Sequence, residues 1–282
     1  MNSADSPTNH ERASDRELKA LVRDRFTKTA EVFGDYAVVS RVAEAESLAR
    51  LVSAGPDDLA ADLACGPGTL ALRFAKHVRW ICALDFTPAI LARARHKAAE
   101  EALLNKFSFA IGDAQVLPFA DASLDLAVTS YSLHHISDPE RVVREMARVV
   151  KRGGRVGLID ILAPEDPKVR ELNHRIEYIR DHSHSRSLTQ PAFGALMNDA
   201  GLRITATEIR EHPRTFDHWM HVAGWEPTDP EYIEARRLMV SSIEDDGSNF
   251  HARFQPADVT QPGAAPDLYM INTGICIAAE KI

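Results

Sequence analysis

Apolar positions along the chain change period near residue 55, and the change divides it in two. From Arg16 onward Leu18, Leu21, Val22, Phe26, Ala30 and Phe33 recur at helical spacing and end near Gly34, which predicts an amphipathic helix. A second helix is predicted from about Val38 to Val52, stopped by Ala54-Gly55-Pro56. Beyond it, short apolar runs alternate with helical segments: Leu59 to Ala64, Trp80 to Leu84, Phe107 to Ile111, Leu124 to Thr129 and Val156 to Ile161. Parallel strands joined through helices need right-handed crossovers, so this alternation predicts an α/β fold with a doubly wound, mainly parallel sheet. Leu268 to Ala279 reads as a last strand.

The residues at the ends of the segments agree with that pattern. Thr87-Pro88 and Asp138-Pro139 each pair a capping side chain with a proline at the first helical position, where its missing N–H costs nothing. After Asp138, Val142, Val143, Met146, Val149 and Val150 form one apolar stripe, which Lys151-Arg152 and Gly153-Gly154 end. A further helix is capped by Thr189 and closed by Gly201. Two insertions interrupt the alternation, at about 163–188 and 213–266, the first with a helix from Pro167 to Asp181 and the second with helical pieces around His218 and Arg236. The expected organisation is a disordered segment over 1–15, a helical lid over 16–54, and a sheet domain over 55–282 that carries both insertions.

Composition narrows the function. Of 282 residues, 45% are apolar and 26% charged, and 41 acids against 33 Lys and Arg leave a net charge of -8. Nucleic acid is therefore an unsuitable partner, since counterion release needs a basic face and the basic residues from Arg12 to Lys28 are interleaved with acids. Cys65, Cys82 and Cys276 are too widely spaced for a zinc or redox pair, which fits a reducing cytoplasm. No run is long and apolar enough for stable membrane insertion, and the polar start lacks a signal-peptide core. A cytoplasmic protein acting on a small molecule is expected; oligomeric state is left open.

The candidate chemistry begins where the first strand ends, at Asp62-Leu63-Ala64-Cys65-Gly66-Pro67-Gly68-Thr69. Glycines there let the backbone turn sharply and approach a ligand at the switch point of an open sheet. Gly66 to Ala71 also satisfies the dinucleotide pattern GxGxxA, a weak signal by itself. The acids weigh against a dinucleotide. Asp62 would repel a pyrophosphate but attract an ammonium or sulfonium, Asp85 ends the second strand where a carboxylate can accept from both ribose hydroxyls, and Asp113 follows the third strand within reach of an adenine amine. A cationic adenosine ligand suits three such carboxylates better.

These residues, with Ala83-Leu84-Asp85-Phe86, Gly112-Asp113-Ala114-Gln115, Asp125 to Val128 leading into Leu133-His134-His135-Ile136-Ser137-Asp138-Pro139, and Arg152 to Arg155, make the chain resemble the class I S-adenosylmethionine-dependent methyltransferases. The likeness is to their small-molecule branch, typified by the ubiquinone and menaquinone biosynthesis C-methyltransferases, and runs from about Phe26 to Ile161. It implies a Rossmann-like, seven-stranded sheet with an antiparallel last strand. It implies S-adenosylmethionine as cofactor, with Asp62, Ala64, Gly66 and Gly68 around the methionine portion, Asp85 on the ribose, Phe86 on one adenine face, Asp113 and Ala114 on the adenine edge, and Phe33 and Ser130 nearby. Two positions depart from the family: Ala64 replaces its first glycine, and Gly34 follows Phe33 where an acid is common.

The expected function is thus methyl transfer to O or C of a small, aromatic or quinol-like acceptor. The alternatives are a nicotinamide-dependent oxidoreductase and a non-catalytic cofactor-binding module. His134, His135 and His184 are the candidate proton acceptors, because imidazole titrates near neutrality. Arg186, His218 and Trp219 are expected to touch the acceptor, in a pocket roofed by His182 to Arg186 and His212 to Trp225 across from Ser130 to His135. His218 and His221 are three apart on a helix, but without a carboxylate or thiolate partner set no metal is expected.

Overall fold

The computed structural model describes residues 14–29, 41–255 and 267–282. The residues before Ser14, Ala30, Phe33 and Gly34, and the start of the helix expected from Val38 lie outside the described residues. Helix α1 (Asp15–Lys28) opens on a reciprocal cap: the Ser14 hydroxyl accepts from the Glu17 N–H, and the Glu17 carboxylate accepts from the Ser14 N–H at 2.8 Å. Helix α2 (Val42–Leu51) buries Leu48 against Gly157, so closely that a Cβ on that glycine would lie 3.0 Å from the leucine side chain.

Strands β1 (Leu59–Leu63), β2 (Trp80–Asp85), β3 (Phe107–Ile111), β4 (Leu124–Ser130) and β5 (Val150–Ile161) are mutually parallel in the spatial order β3-β2-β1-β4-β5. The order reverses at β1, which is the switch point the sequence predicts. Helices α3 (Thr69–Phe74), α4 (Pro88–Glu100) and α5 (Pro139–Val149) make the crossovers. Ala60, Ala61 and Leu63 of β1 are fully buried, as expected for a strand with helices on both faces. The Asp138 carboxylate accepts the Arg141 N–H at 2.8 Å to start α5, and Val142, Val143, Met146 and Val149 are fully buried along its stripe. Gly153-Gly154 does not cap this helix; it lies inside β5, where Gly153 at φ +73 lies within a shift of register against β4.

Helices α6 (Pro167–Arg180) and α7 (Gln190–Asp199) lead to β6 (Leu202–Thr215), then come α8 (Phe216–Val222), α9 (Pro230–Ser241), the two-residue β7 (Arg253–Phe254) and β8 (Leu268–Lys281). The last strand is antiparallel, as expected, but it sits between β5 and β6 and pairs with both. Sequence pattern alone did not show β6. Its exposed Arg203, Ile204 and Glu211 belong to the outermost strand of the sheet, where one edge and much of one face meet water. Beyond the sheet, Ile176, Phe216, Trp219, Met220, Met239 and Phe250 bury one another in a separate core, so the two insertions form a small helical subdomain.

Candidate active site

The loop after β1 turns through three left-handed residues, Ala64 at φ +50, Gly66 at +53 and Gly68 at +81. Asp85, at the end of β2, fixes it: one carboxylate oxygen accepts the Gly66 N–H at 2.9 Å and the other the Thr87 N–H at 2.8 Å. Burial raises the pKa of this carboxyl, and the N–H groups at its oxygens pull against the rise. Asp62 stands behind the loop. It has no exposed surface, and one oxygen accepts the Ala71 N–H of α3 at 2.9 Å while the other has no hydrogen-bond partner among the described residues. Burial foremost, then the Asp85 charge, pushes its pKa well up. A Cβ on Gly68 would meet Ala94 of α4 at 2.9 Å, so Gly68 serves the packing of loop on helix.

A cleft of about 1040 Å³, measured out to its mouth, opens above β1, β2 and β4. Of the residues named from sequence, Ala64, Gly66, Asp85, Phe86, Asp113, Ala114, Ser130 and His135 line it, and Asp62, Gly68, His134 and His184 do not. Phe33 lies outside the described residues. Helix α1 roofs the cleft with Leu18, Lys19, Val22 and Phe26. Lys19 pairs with Asp113 at 2.7 Å and Asp15 at 2.5 Å, and Gln115 and Ser137 donate to Asp15. Burial would raise Asp15, but the hydrogen bonds from Lys19, Ser137 and Gln115 hold it at about 2. At the other end of the helix Arg25 pairs with buried Asp181 at 2.5 Å, and the Phe26 ring meets His135 edge-on at 5.3 Å.

The three candidate histidines form one cluster with unequal access. The His134 Nδ1 bonds Asp160, whose other oxygen accepts the Leu133 N–H at 2.8 Å. His184 is buried against the His134 ring at 5.6 Å. The His135 Nδ1–H donates to the Ser183 carbonyl at 3.0 Å, which leaves Nε2 as an acceptor. Burial first and the neighbouring His134 second push His135 down to about 3, so it is neutral across the physiological range. Arg186, His218 and Trp219 are absent from the cleft wall. Arg186 pairs with Glu140 at 2.6 Å, His218 is exposed on α8, and Trp219 is a core residue of the helical subdomain under the Arg180 guanidinium at 4.7 Å. The segments 182–186 and 212–225 do not line this cleft; Phe216, Trp219 and Met220 of the second are core residues of that subdomain.

A second polar group on the cleft wall has no sequence signature. Glu44 of α2, only 5% exposed, accepts from the Tyr131 hydroxyl, 2.9 Å from both carboxylate oxygens, and lies 3.0 Å from the His212 Nε2 of β6. These residues are far apart in the chain and only the fold brings them together.

The comparisons with known proteins agree with one another. A family described as a methyltransferase domain matches residues 61–158. The uncharacterized methyltransferase YcgJ of Bacillus subtilis is 31% identical over 206 residues, 73% of this chain and 81% of YcgJ. The chain belongs to the class I S-adenosylmethionine-dependent methyltransferases. The crystal structure of YcgJ superposes on this methyltransferase with a TM-score of 0.73, at 26% identity, over 85% of this chain and 98% of that one. A demethylmenaquinone methyltransferase from Corynebacterium efficiens is 36% identical over 112 residues, 40% of this chain and 45% of the relative. The fold is also shared, at a TM-score of 0.58 and 16% identity over 85% of this chain and 78% of the other, with a Streptomyces coelicolor geranyl diphosphate C-methyltransferase crystallised with S-adenosylhomocysteine. Family membership decides for methyl transfer over the nicotinamide alternative. No helix among the described residues is long and apolar enough to cross a membrane.

Two outcomes are expected for this methyltransferase. Ala64→Gly should stabilise the protein by about 0.5 to 1 kcal/mol in urea unfolding, because alanine is strained by roughly 1 to 2 kcal/mol at a left-handed position and glycine returns part of that gain as backbone entropy. The second concerns pH. His135 is held near 3 when folded and returns to about 6.5 when unfolded, so between those values the unfolded chain binds a proton the folded chain does not. Stability should therefore fall as pH is lowered through 6.5. Thermal melts from pH 7.5 to pH 4.5 should show this slope, and His135→Gln should flatten it by about 1.4 kcal/mol per pH unit.

Proposed function

We propose that the cleft binds S-adenosylmethionine with its nucleoside over β2 and β3, and that the enzyme methylates O or C of a small ring-bearing acceptor held over β4 and β5. The observation that carries this reading is Asp85: a buried carboxylate on the cleft wall at the end of β2, next to Asp113 at the end of β3. The residues present fit the cofactor. The Thr69 hydroxyl lines the cleft, is buried and has no hydrogen-bond partner among the described residues, and a Cβ built on Gly66 would find none of them nearer than Ile90 at 3.9 Å. Asp85 would hold the ribose, Phe86 one face of the base, Asp113 and Ala114 its edge, and Ala64 to Thr69 the amino-acid portion. Matches to quinone-pathway methyltransferases support a small acceptor.

When bound, the cofactor supplies a methyl group already activated on sulfur, so alignment and exclusion of water are the main demands on the chain. Leu18, Val22 and Phe26 of α1 supply the apolar cover. His135, neutral and fixed by Ser183, orients the acceptor by accepting a hydrogen bond at Nε2 and is too weakly basic to carry off its proton.

Asp85→Ala should weaken S-adenosylhomocysteine binding by about 1.5 to 3 kcal/mol in calorimetry, the range for losing a charged acceptor. Asp113→Ala should cost less, because Lys19 already occupies one of its oxygens. It should also shrink any preference for adenosine over inosine analogues. Unchanged dissociation constants in both variants would contradict the reading.

A further inference from the structure

The proposed reaction leaves Glu44 and Tyr131 without a role, although both line the cleft. Tyr131 follows the end of β4 at φ +51, a left-handed conformation that strains a residue bearing a side chain. Its N–H donates to the Ile159 carbonyl at 2.7 Å, which holds the strained residue over β5. A carboxylate only accepts, so the Tyr131 hydroxyl hydrogen points into Glu44 and the phenolic oxygen keeps its lone pairs. His212 Nε2 donates to the same carboxylate at 3.0 Å and reaches one side of the phenolic oxygen at 3.4 Å, which leaves that oxygen's second lone pair for a ligand.

The charge state of the pair is fixed. Burial would raise Glu44, but His212, Tyr131 and Arg41 outweigh it and keep the carboxylate ionised. Burial and the Glu44 charge push the Tyr131 phenol up, so it stays protonated. Arg41 lies over the Tyr131 ring at 3.8 Å, and the other ionisable groups acting on the cluster are Arg210 and Arg214 on β6 and the Cys276 thiol on β8. His135, also on the cleft wall, presents a second lone pair at Nε2. Ala45, Phe26, Ile136 and Ile159 make the wall around these groups apolar.

We infer that Tyr131 and Glu44 select the methyl acceptor, and that it is a neutral phenol or comparable ring hydroxyl whose O–H donates to the Tyr131 oxygen while Tyr131 donates to Glu44. This rests on the cofactor reading of the cleft. A ring of the same size without a donor would leave the buried phenolic oxygen with only the long contact from His212 Nε2, a penalty equivalent to about tenfold in affinity.

The test uses the full chain saturated with S-adenosylhomocysteine and titrated with phenol and with toluene, which match in size and differ in the donor. The wild-type protein should bind phenol about tenfold more tightly than toluene. Tyr131→Phe and, separately, Glu44→Gln should bring the two ligands within about twofold, while the S-adenosylhomocysteine dissociation constant of each variant stays within about twofold of wild type. Equal affinity of the wild type for the two rings, no binding of either, or an unchanged ratio in both variants would overturn the inference and leave the cofactor reading intact. A large loss of S-adenosylhomocysteine affinity in both variants would also overturn it, by moving the pair to the cofactor side. Failure of the wild type to bind S-adenosylhomocysteine would instead refute the cofactor reading itself.

Discussion

The floor of the cleft depends on one buried carboxylate. Asp85 accepts from the backbone of Gly66 in the turn after β1 and of Thr87 in the turn after β2, so two connections that share no sequence are held in one geometry. The cost is an anion taken out of water, and the two N–H donors offset only part of it. Asp62 extends the arrangement one layer down by accepting from Ala71 in α3. The Asp85 charge acts on Asp62 beneath the loop and adds to burial in raising its pKa, an effect that a bound cation would relieve and a pyrophosphate would aggravate.

The roof is held by charge at both ends and by apolar contact between. Lys19 anchors α1 to the β3 side of the cleft through Asp113, and Arg25 anchors it to Asp181 behind His135. The two anchors differ in environment. The Lys19 and Asp113 side chains are each about a third exposed, whereas Asp181 is 7% exposed, so salt screens the first pair far more than the second. The helix end near the acceptor is therefore the more firmly seated, and Asp181 passes that order on to His135 through Ser183, whose hydroxyl it accepts at 2.6 Å.

Sequence reading found what depends on local pattern and missed what depends on distant strands. The five parallel strands, the α5 stripe and the three acids near strand ends are legible because each is written in contiguous residues with a fixed period or spacing. The outer strand β6 is not, because half-exposed residues such as Ile204 and Ile209 carry no continuous apolar run. Glu44, Tyr131 and His212 belong to α2, the end of β4 and β6, and no spacing in the chain connects them. Trp219 illustrates the opposite error: aromatic and histidine residues in an insertion looked like a binding surface, yet the indole fills the core that lets the insertion fold at all. Ala64 was legible as a departure, and its φ of +50 gives the departure a physical meaning.

The position of β8 between β5 and β6 has a consequence for the order in which the protein is built. On the ribosome β5 emerges long before Leu268, and β6 follows with no neighbour in the sheet, because the slot between them can be filled only by residues 268–281. Until then the Val156 to Ile161 edge presents an unpaired row of backbone groups, and the helical subdomain, whose core includes Leu268 and Met270, lacks one wall. The nascent chain thus holds a half-finished sheet whose exposed apolar edge must be shielded from other chains, and closure is a late, long-range event joining two parts that matured separately.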